Sequence, residues 1–288
     1  MERIGNVYWY GRKLASLLLI VWLPASAGVN IIPRPTGRNL GKAMVVDTTY
    51  LQLYYAFNAD NARIMDTYED YQCLEVGKNY MRYHSVFLQE GELVVGKWLE
   101  EHKNPKSVPN VTTPGKRKLL WSEYQYAELY VHGGKLTGYY CFPMHLTQYN
   151  AFCIEDYPLQ KWEVRRDTMT ICGQTCQKAV CHFRGRDFVA WFAPSIPLQY
   201  GPWKFGGLPG LILKVADTKG EYSFECTKIE RKRKPLQKFA FEKYTARKRT
   251  GIVNLQRRIN ENYFRMVGAH DGNIPLDTTN PYNPLELE

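Results

Sequence analysis

The 288-residue sequence lacks the short signatures that mark common catalytic folds. It has no G-x-S-x-G elbow, no H-E-x-x-H helix, no phosphate-binding glycine loop and no dinucleotide fingerprint. Those absences remove the motif-based cases for an esterase, a zinc protease, a P-loop enzyme and a nicotinamide enzyme. A catalytic site, if one formed, would have to converge from separate strands. Cys172, Cys176 and Cys181 sit close together with His182 adjacent, a conceivable zinc set, but the usual paired C-x-x-C knuckle is missing, so neither a metal nor a cofactor is expected. After residue 27 no run of 18 apolar residues occurs, which excludes a spanning helix from the mature chain.

What is present begins with a leader. Arg12-Lys13 precede the apolar run Leu14 to Leu23, which ends at Pro24-Ala25-Ser26-Ala27. This is the pattern of a secretory signal over 1–27. It implies export to the periplasm, the cell surface or the medium. No cysteine follows the cleavage site, so lipidation is not indicated. Residues 28–270 read as a single β-rich domain and 271–288, with Pro275, Pro281 and Pro284, as an extended tail.

Alternation dominates the domain. Leu51, Leu53, Tyr55 and Phe57 alternate with Gln52, Tyr54 and Ala56, a strand with one apolar face. Tyr71 to Val76 and Tyr80 to Leu88 flank Gly77-Lys78-Asn79; Tyr124 to Val131 and Lys135 to Cys141 flank Gly133-Gly134. Trp162 to Ile171, Thr175 to Arg184 and Asp187 to Ala193 extend the meander, and a further strand starts at Leu211. A short helix is expected over Glu90 to His102 and a loop over Pro105 to Lys118. Ile252, Leu255, Ile259, Tyr263 and Met266 predict one amphipathic helix, with Thr250 as N-cap and Gly268 as C′ residue. The expected fold is mainly β: a curved antiparallel sheet, an open barrel or bowl, with a C-terminal α-helix. Twenty-one tyrosines, twelve phenylalanines and seven tryptophans suit such a core.

The densest local signal is Gly201-Pro202-Trp203-Lys204-Phe205-Gly206-Gly207-Leu208-Pro209-Gly210, which runs into Leu211-Ile212-Leu213. Leu208 to Leu211 predicts a type II turn with positive φ at Gly210. Trp203 and Phe205 have two readings, a core plug beneath the loop or a ligand platform. On the second, Trp203, Phe205, Gly206, Gly207, Leu208, Pro209 and Gly210 form the binding loop. Together with Trp162-Glu163-Val164, Cys176-Gln177-Lys178-Ala179, Phe183-Arg184-Gly185-Arg186, Ala190-Trp191-Phe192 and Ile196-Pro197, this stretch resembles the GLPGLI family of exported Bacteroidetes-type proteins of unknown function. Leu74 to Lys78 with Tyr83-His84-Ser85 resembles the family's N-terminal half. The resemblance implies an exported β-rich protein. A more distant similarity is to the bowl-shaped N-terminal accessory domain of bacterial peptide N-glycosidases. Gly91 to Arg117 has no counterpart in the family.

Net charge is +10 and concentrated: Lys228 to Arg258 holds twelve Lys or Arg against Glu230 and Glu242. Arg231, Lys232, Arg233, Lys234, Arg247, Lys248 and Arg249 are the candidate patch for an anionic partner, whether anionic lipid, glycan or acidic protein; a solvated charged face is the competing reading. Export and the lack of a recognition module argue against nucleic acid. Turn residues Arg184 and Arg186 are expected to pair with nearby carboxylates. Asp66, Glu69, Asp70, Glu155 and Asp156 are expected on solvated faces. Seven cysteines in an exported chain suggest disulfides, with Cys141, Cys153, Cys172, Cys176 and Cys181 as candidates and Cys141 facing Cys153 across a hairpin. Cys181 and His182 are neighbours on a strand, so they point to opposite faces. The leading functional reading is a non-catalytic accessory protein that binds a hydrophobic ligand, glycan or envelope partner. The alternatives are a periplasmic hydrolase of peptide or glycan and a structural envelope protein.

Overall fold

The computed structural model describes residues 39–102, 114–116, 122–268, 270–271, 274–275 and 282–288. The leader, and most of the loop expected over Pro105 to Lys118, lie outside them. Thirteen strands form one sheet: β1 (Asn39–Phe57), β2 (Asp70–Gly77), β3 (Tyr80–Ser85), β4 (Ala127–His132), β5 (Lys135–Tyr140), β6 (Ala151–Asp156), β7 (Glu163–Ile171), β8 (Gln174–Phe183), β9 (Arg186–Ala193), β10 (Leu211–Asp217), β11 (Ser223–Glu230), β12 (Lys234–Ala240) and β13 (Thr245–Ala246). Among the described residues two α-helices, α1 (Val86–Glu101) and α2 (Arg249–Met266), accompany it, and His270–Asp271 pairs with Ile274–Pro275 in a separate two-stranded ladder. The order is β13-β6-β5-β4-β3-β2-β1-β11-β10-β9-β8-β7, with β12 added beside the first half of β1. The sheet is therefore two meanders joined along β1 and β11. It is curved and does not close.

The hairpins follow from their turn residues. Gly133-Gly134, Cys172-Gly173 and Arg184-Gly185 all have positive φ at both positions, the signature of a type I′ turn whose twist matches its strands. The predicted type II turn at Leu208–Leu211 is not what forms. Gly210 does not have positive φ, whereas Gly207 does, at 86°. Gly210 serves close packing instead: a Cβ there would lie 2.4 Å from the Ala193 carbonyl oxygen.

Helix α1 begins at Val86, earlier than expected, because the Ser85 hydroxyl accepts the Leu88 N–H at 3.0 Å and so caps the chain as it leaves β3. Helix α2 starts at Arg249, with Lys248 in the N-cap position and no side-chain cap, so Thr250 lies inside the helix. Gly268 has the expected positive φ, 65°.

Alternation along β1 assigns the two faces. Leu51, Leu53, Tyr55 and Phe57 enter the main core with Leu74, Phe188, Phe192, Leu211 and Phe224, and α2 closes over it with Ile252, Ile259 and Tyr263. Ala56 points the other way, into a smaller cluster with Tyr68 and Phe87 under α1. On that second face β2, β3 and β4 bury polar groups, described next.

Candidate functional site

The glycine-rich loop is held from outside by the segment before β7. Tyr157 donates its hydroxyl to the Phe205 carbonyl at 2.8 Å, Trp162 Nε1 donates to the Gly206 carbonyl at 2.7 Å, and Gln160 bonds both the Lys204 carbonyl and the Gly206 N–H. Trp203 adopts φ 54°, unusual for a bulky residue. Trp203 and Phe205 are both buried in the main core, where Phe205 packs edge-on to Phe188. Gly206, Leu208 and Gly210 are buried and Gly207 is half-buried, while Pro209 is exposed. The residue of this loop that meets another segment through a charge is Lys204.

Lys204 is 1% exposed. Its ammonium lies 2.5 Å from Glu286 Oε1 and 3.3 Å from Glu155 Oε1. Arg184 donates to Glu286 at 2.6 Å and to Glu155 at 2.7 Å, and Arg249 reaches Glu286 at 2.7 Å. Three cations from the β8–β9 turn, the glycine loop and the start of α2 thus converge on one carboxylate. Burial alone would raise the Glu286 pKa, but Lys204 and Arg184 hold it down at about 2. Glu155, expected on a solvated face, is drawn in by the same cations, whereas Asp156 stays exposed and pairs with Lys135.

Glu286 belongs to an extended segment, 282–288, that is recognised along its length. Arg186 donates through Nε and Nη2 to the Pro284 carbonyl at 2.9 and 2.7 Å, and through Nη2 to Asn283 Oδ1 at 2.5 Å. The Tyr222 hydroxyl donates to the Asn283 carbonyl, and the Tyr124 hydroxyl accepts the Leu285 N–H at 2.8 Å. Leu285 is buried in the main core and the Leu287 N–H donates to the Arg184 carbonyl at 3.0 Å. Tyr282 donates to Glu123. Gly185 permits the approach, since a Cβ there would sit 2.8 Å from Leu287 Cβ. Arg186 also pairs with Asp217 and Glu221, and Arg184 with Glu155 and Glu286, as turn arginines were expected to do.

A second polar cluster lies on the other face. Arg82, 2% exposed, joins Glu128 at 2.7 Å and Glu75 at 3.3 Å, with Gln89 from α1 at 2.8 Å and the Phe239 ring of β12 stacked 4.8 Å away. Lys234 reaches Glu75 at 2.7 Å. Cys73 and His84 border this group. Burial, reinforced by Arg82, pushes the His84 pKa down to about 3. Nearby, Asp70 is buried rather than solvated. Desolvation raises its pKa to about 7 against bonds from Ser85, Gln72 and Gln125.

The expected basic patch divides. Arg231, Lys232 and Arg233 are exposed in the β11–β12 turn, and Arg247 and Lys248 are exposed before α2. Lys234 and Arg249 instead serve the two buried clusters. A shallow depression of about 220 Å³ beside Arg231 is lined by Tyr50, Leu51, Ile196, Pro197 and Leu198.

All seven cysteines carry free thiols in this structure. The β5–β6 register sets Gly138, not Cys141, opposite Cys153. Cys141 Sγ lies 3.4 Å from Asn150 Oδ1, and Cys153 Sγ lies 4.0 Å from the Tyr140 hydroxyl. Cys172 Sγ lies 3.9 Å from Cys226 Sγ, a partner the spacing did not suggest. Cys176 is buried, and Cys181 is buried while His182 faces out toward Asp187 at 2.8 Å.

Residues 184–214 match the model of a family described as a protein of unknown function (Porph_ging). That stretch holds Arg184 and Arg186 of the β8–β9 hairpin, Lys204 and the Gly-Leu-Pro-Gly-Leu-Ile motif at 207–212. No curated protein matches the chain. Two solved structures of PNGF-II are similar to it at 11% identity over 73% of this chain, with TM-scores of 0.45 in space group P21 and 0.43 in C2. The similarity spans 33% and 32% of those chains, about a third of their length. Among the described residues no helix is long and apolar enough to cross a membrane.

Proposed function

We propose that this is an exported, non-catalytic accessory protein whose recognition site is the groove that holds residues 282–288, and that its partner presents an acidic extended peptide. The observation that carries this reading is the convergence of Arg184, Lys204 and Arg249 on Glu286. Side chains from five separate parts of the chain read the main chain and side chains of one extended segment, as in peptide recognition by backbone capture combined with charge-assisted pockets. Segment 282–288 occupies the groove from within the same chain, so a partner peptide competes with it, and the two exchange by population shift.

The groove favours a peptide over a lipid or glycan on chemical grounds. Arg186 and Tyr222 are spent on carbonyl oxygens of the main chain, and Tyr124 on an amide N–H. Leu285 fills an apolar socket beside the carboxylate site. The test uses the full chain and a fluorescent peptide of sequence Tyr-Asn-Pro-Leu-Glu-Leu-Glu. Glu286→Gln loosens the internal segment and is expected to bind the peptide at least ~10-fold tighter than wild type, while a peptide with Gln at the first Glu position binds neither. A folded Glu286→Gln chain that fails to bind the peptide overturns the reading.

A further inference from the structure

Beside the ion pairs that Glu75 makes with Arg82 and Lys234, the second buried cluster contains a set of metal-type donors. Cys73 and Glu75 alternate on β2 and so share one face, and the β2–β3 register sets His84 directly opposite Cys73. One donor atom from each of Cys73, Glu75 and His84 falls within 4.8 Å of the others, and all three residues are buried. His84 Nδ1 lies 3.1 Å from the Ser85 carbonyl oxygen. A carbonyl only accepts, so Nδ1 carries the proton and Nε2 presents a lone pair. That Nε2 is buried, makes no hydrogen bond and stands 3.9 Å from Glu75 Oε2. A backbone carbonyl that fixes the tautomer and leaves the other nitrogen open is the arrangement found behind metal-ligating histidines.

We infer that Cys73 and His84, with Glu75 beside them, form a binding site for a soft monovalent cation, copper(I). Charge selects the ion. Arg82 and Lys234 are balanced by Glu75 and Glu128 around a neutral thiol and a neutral imidazole. A divalent ion would leave an extra positive charge buried beside two cations even after Cys73 loses its proton, at the desolvation cost such charges carry. A monovalent ion replaces the thiol proton one for one. The reaction is Cys73–SH plus M⁺ and His84 giving a Cys73–S–M–His84 unit and one released H⁺, with no change in buried charge and no electron transferred.

Ligand type agrees, since thiolate favours soft ions, copper(I) and zinc among them, and the charge balance singles out the monovalent one. Bonds of about 2.3 Å to sulfur and about 2.0 Å to imidazole, the lengths known for zinc, place the two donors about 4.3 Å apart when the ion lies between them. Donors within 4.8 Å need only small adjustments to reach that span. Ligation as thiolate releases the Cys73 proton, which makes uptake pH-dependent. Lys234 is the solvent-reaching member of the cluster, its side chain 37% exposed. Entry therefore runs past the start of β12.

The test loads reduced full-length protein with one equivalent of copper(I) under anaerobic conditions, in competition with a chromophoric copper(I) chelator, and examines the bound metal by X-ray absorption. One sulfur and one imidazole nitrogen on the metal are expected. His84→Gln should weaken retention at least ~10-fold, and Cys172→Ser should leave it unchanged. Because Cys73→Ser could disturb the fold, the coordination shell of wild type decides the matter. Two sulfurs on copper would assign the metal to the Cys172 and Cys226 thiols and overturn the proposal, as would retention unaffected by His84→Gln in a folded variant.

Discussion

The two buried charge clusters use similar residues toward different ends. Around Arg82 charge is balanced, with Glu75 and Glu128 against Arg82 and Lys234. Every member of that quartet comes from a strand of the sheet. Around Glu286 the cations outnumber the carboxylates, Arg184, Lys204 and Arg249 against Glu155 and Glu286, and the central carboxylate arrives on a segment separate from the sheet. A balanced cluster built into strands holds the sheet's own register. An unbalanced cluster that depends on a docked segment is the arrangement that the proposed recognition groove requires.

The sharpest way to break this contrast is Arg82→Met. It strips the guanidinium from buried Glu128 and leaves Glu75 with Lys234, and a loss of about 4 kcal/mol is expected in denaturant unfolding. Glu286→Gln comes next, at about 3 kcal/mol, because Glu155 still faces Lys204 and Arg184 after the change. The distinguishing result is rescue. Free peptide carrying the acidic segment should restore part of the stability of Glu286→Gln by mass action, and none of the stability of Arg82→Met. Equal rescue, or none for either, would erase the difference between scaffold and receptor.

Acid titration separates the clusters again, with a smaller effect. The folded pKa of His84 is depressed from 6.5 to about 3, so the folded state binds fewer protons than the unfolded chain between those values. Its contribution is complete above pH 6.5 and is lost as pH falls toward 3. The pKa of Glu286 is depressed from 4.5 to about 2, so its contribution is complete above pH 4.5 and is lost only as pH falls toward 2. Asp70, raised from 3.8 to about 7, acts in the opposite sense and costs stability as pH rises through that window. Difference profiles remove this overlap. Wild type minus His84→Gln should change between pH 6.5 and 3, and wild type minus Glu286→Gln only below pH 4.5. A Glu286 difference that begins near pH 6 would contradict the assignment.

The scaffold was far more legible than the groove around Glu286. Strand alternation at Leu51 to Phe57 and the Gly133-Gly134, Gly173 and Gly185 turns report local geometry, and local geometry is what period and turn residues encode. Gly210 was read as a turn residue because proline and glycine stand together. Its cause is the Ala193 backbone pressed against it, a contact from another strand. The same distance in sequence hid the site. Lys204 sits between two core aromatics in a glycine loop, and its partner Glu286 is 82 residues away. Glu155 looked like an ordinary surface carboxylate until Arg184 and Lys204 were placed over it. One signal was available: a lysine between Trp203 and Phe205, in a loop expected to pack closely, needs a buried anion or a route to water. The Cys73, Glu75 and His84 cluster needed the β2–β3 register, which a two-residue shift in the turn would have changed.

The weakest expected effect concerns the cations that neither cluster uses. Arg231, Lys232 and Arg233 are exposed in the β11–β12 turn, so replacing all three with Gln should leave the melting temperature essentially unchanged. If they dock an anionic surface, the same triple variant should lose salt-sensitive retention on vesicles that contain anionic lipid, while Glu286→Gln keeps it. Lys234 is deliberately left intact, because its ammonium holds Glu75 and its loss would mix a folding defect into a surface measurement. Retention that survives the triple substitution would return these residues to the role of a solvated turn. Retention lost together with that of Glu286→Gln would mean that the turn and the groove act on one partner, and the division between them would have to be redrawn.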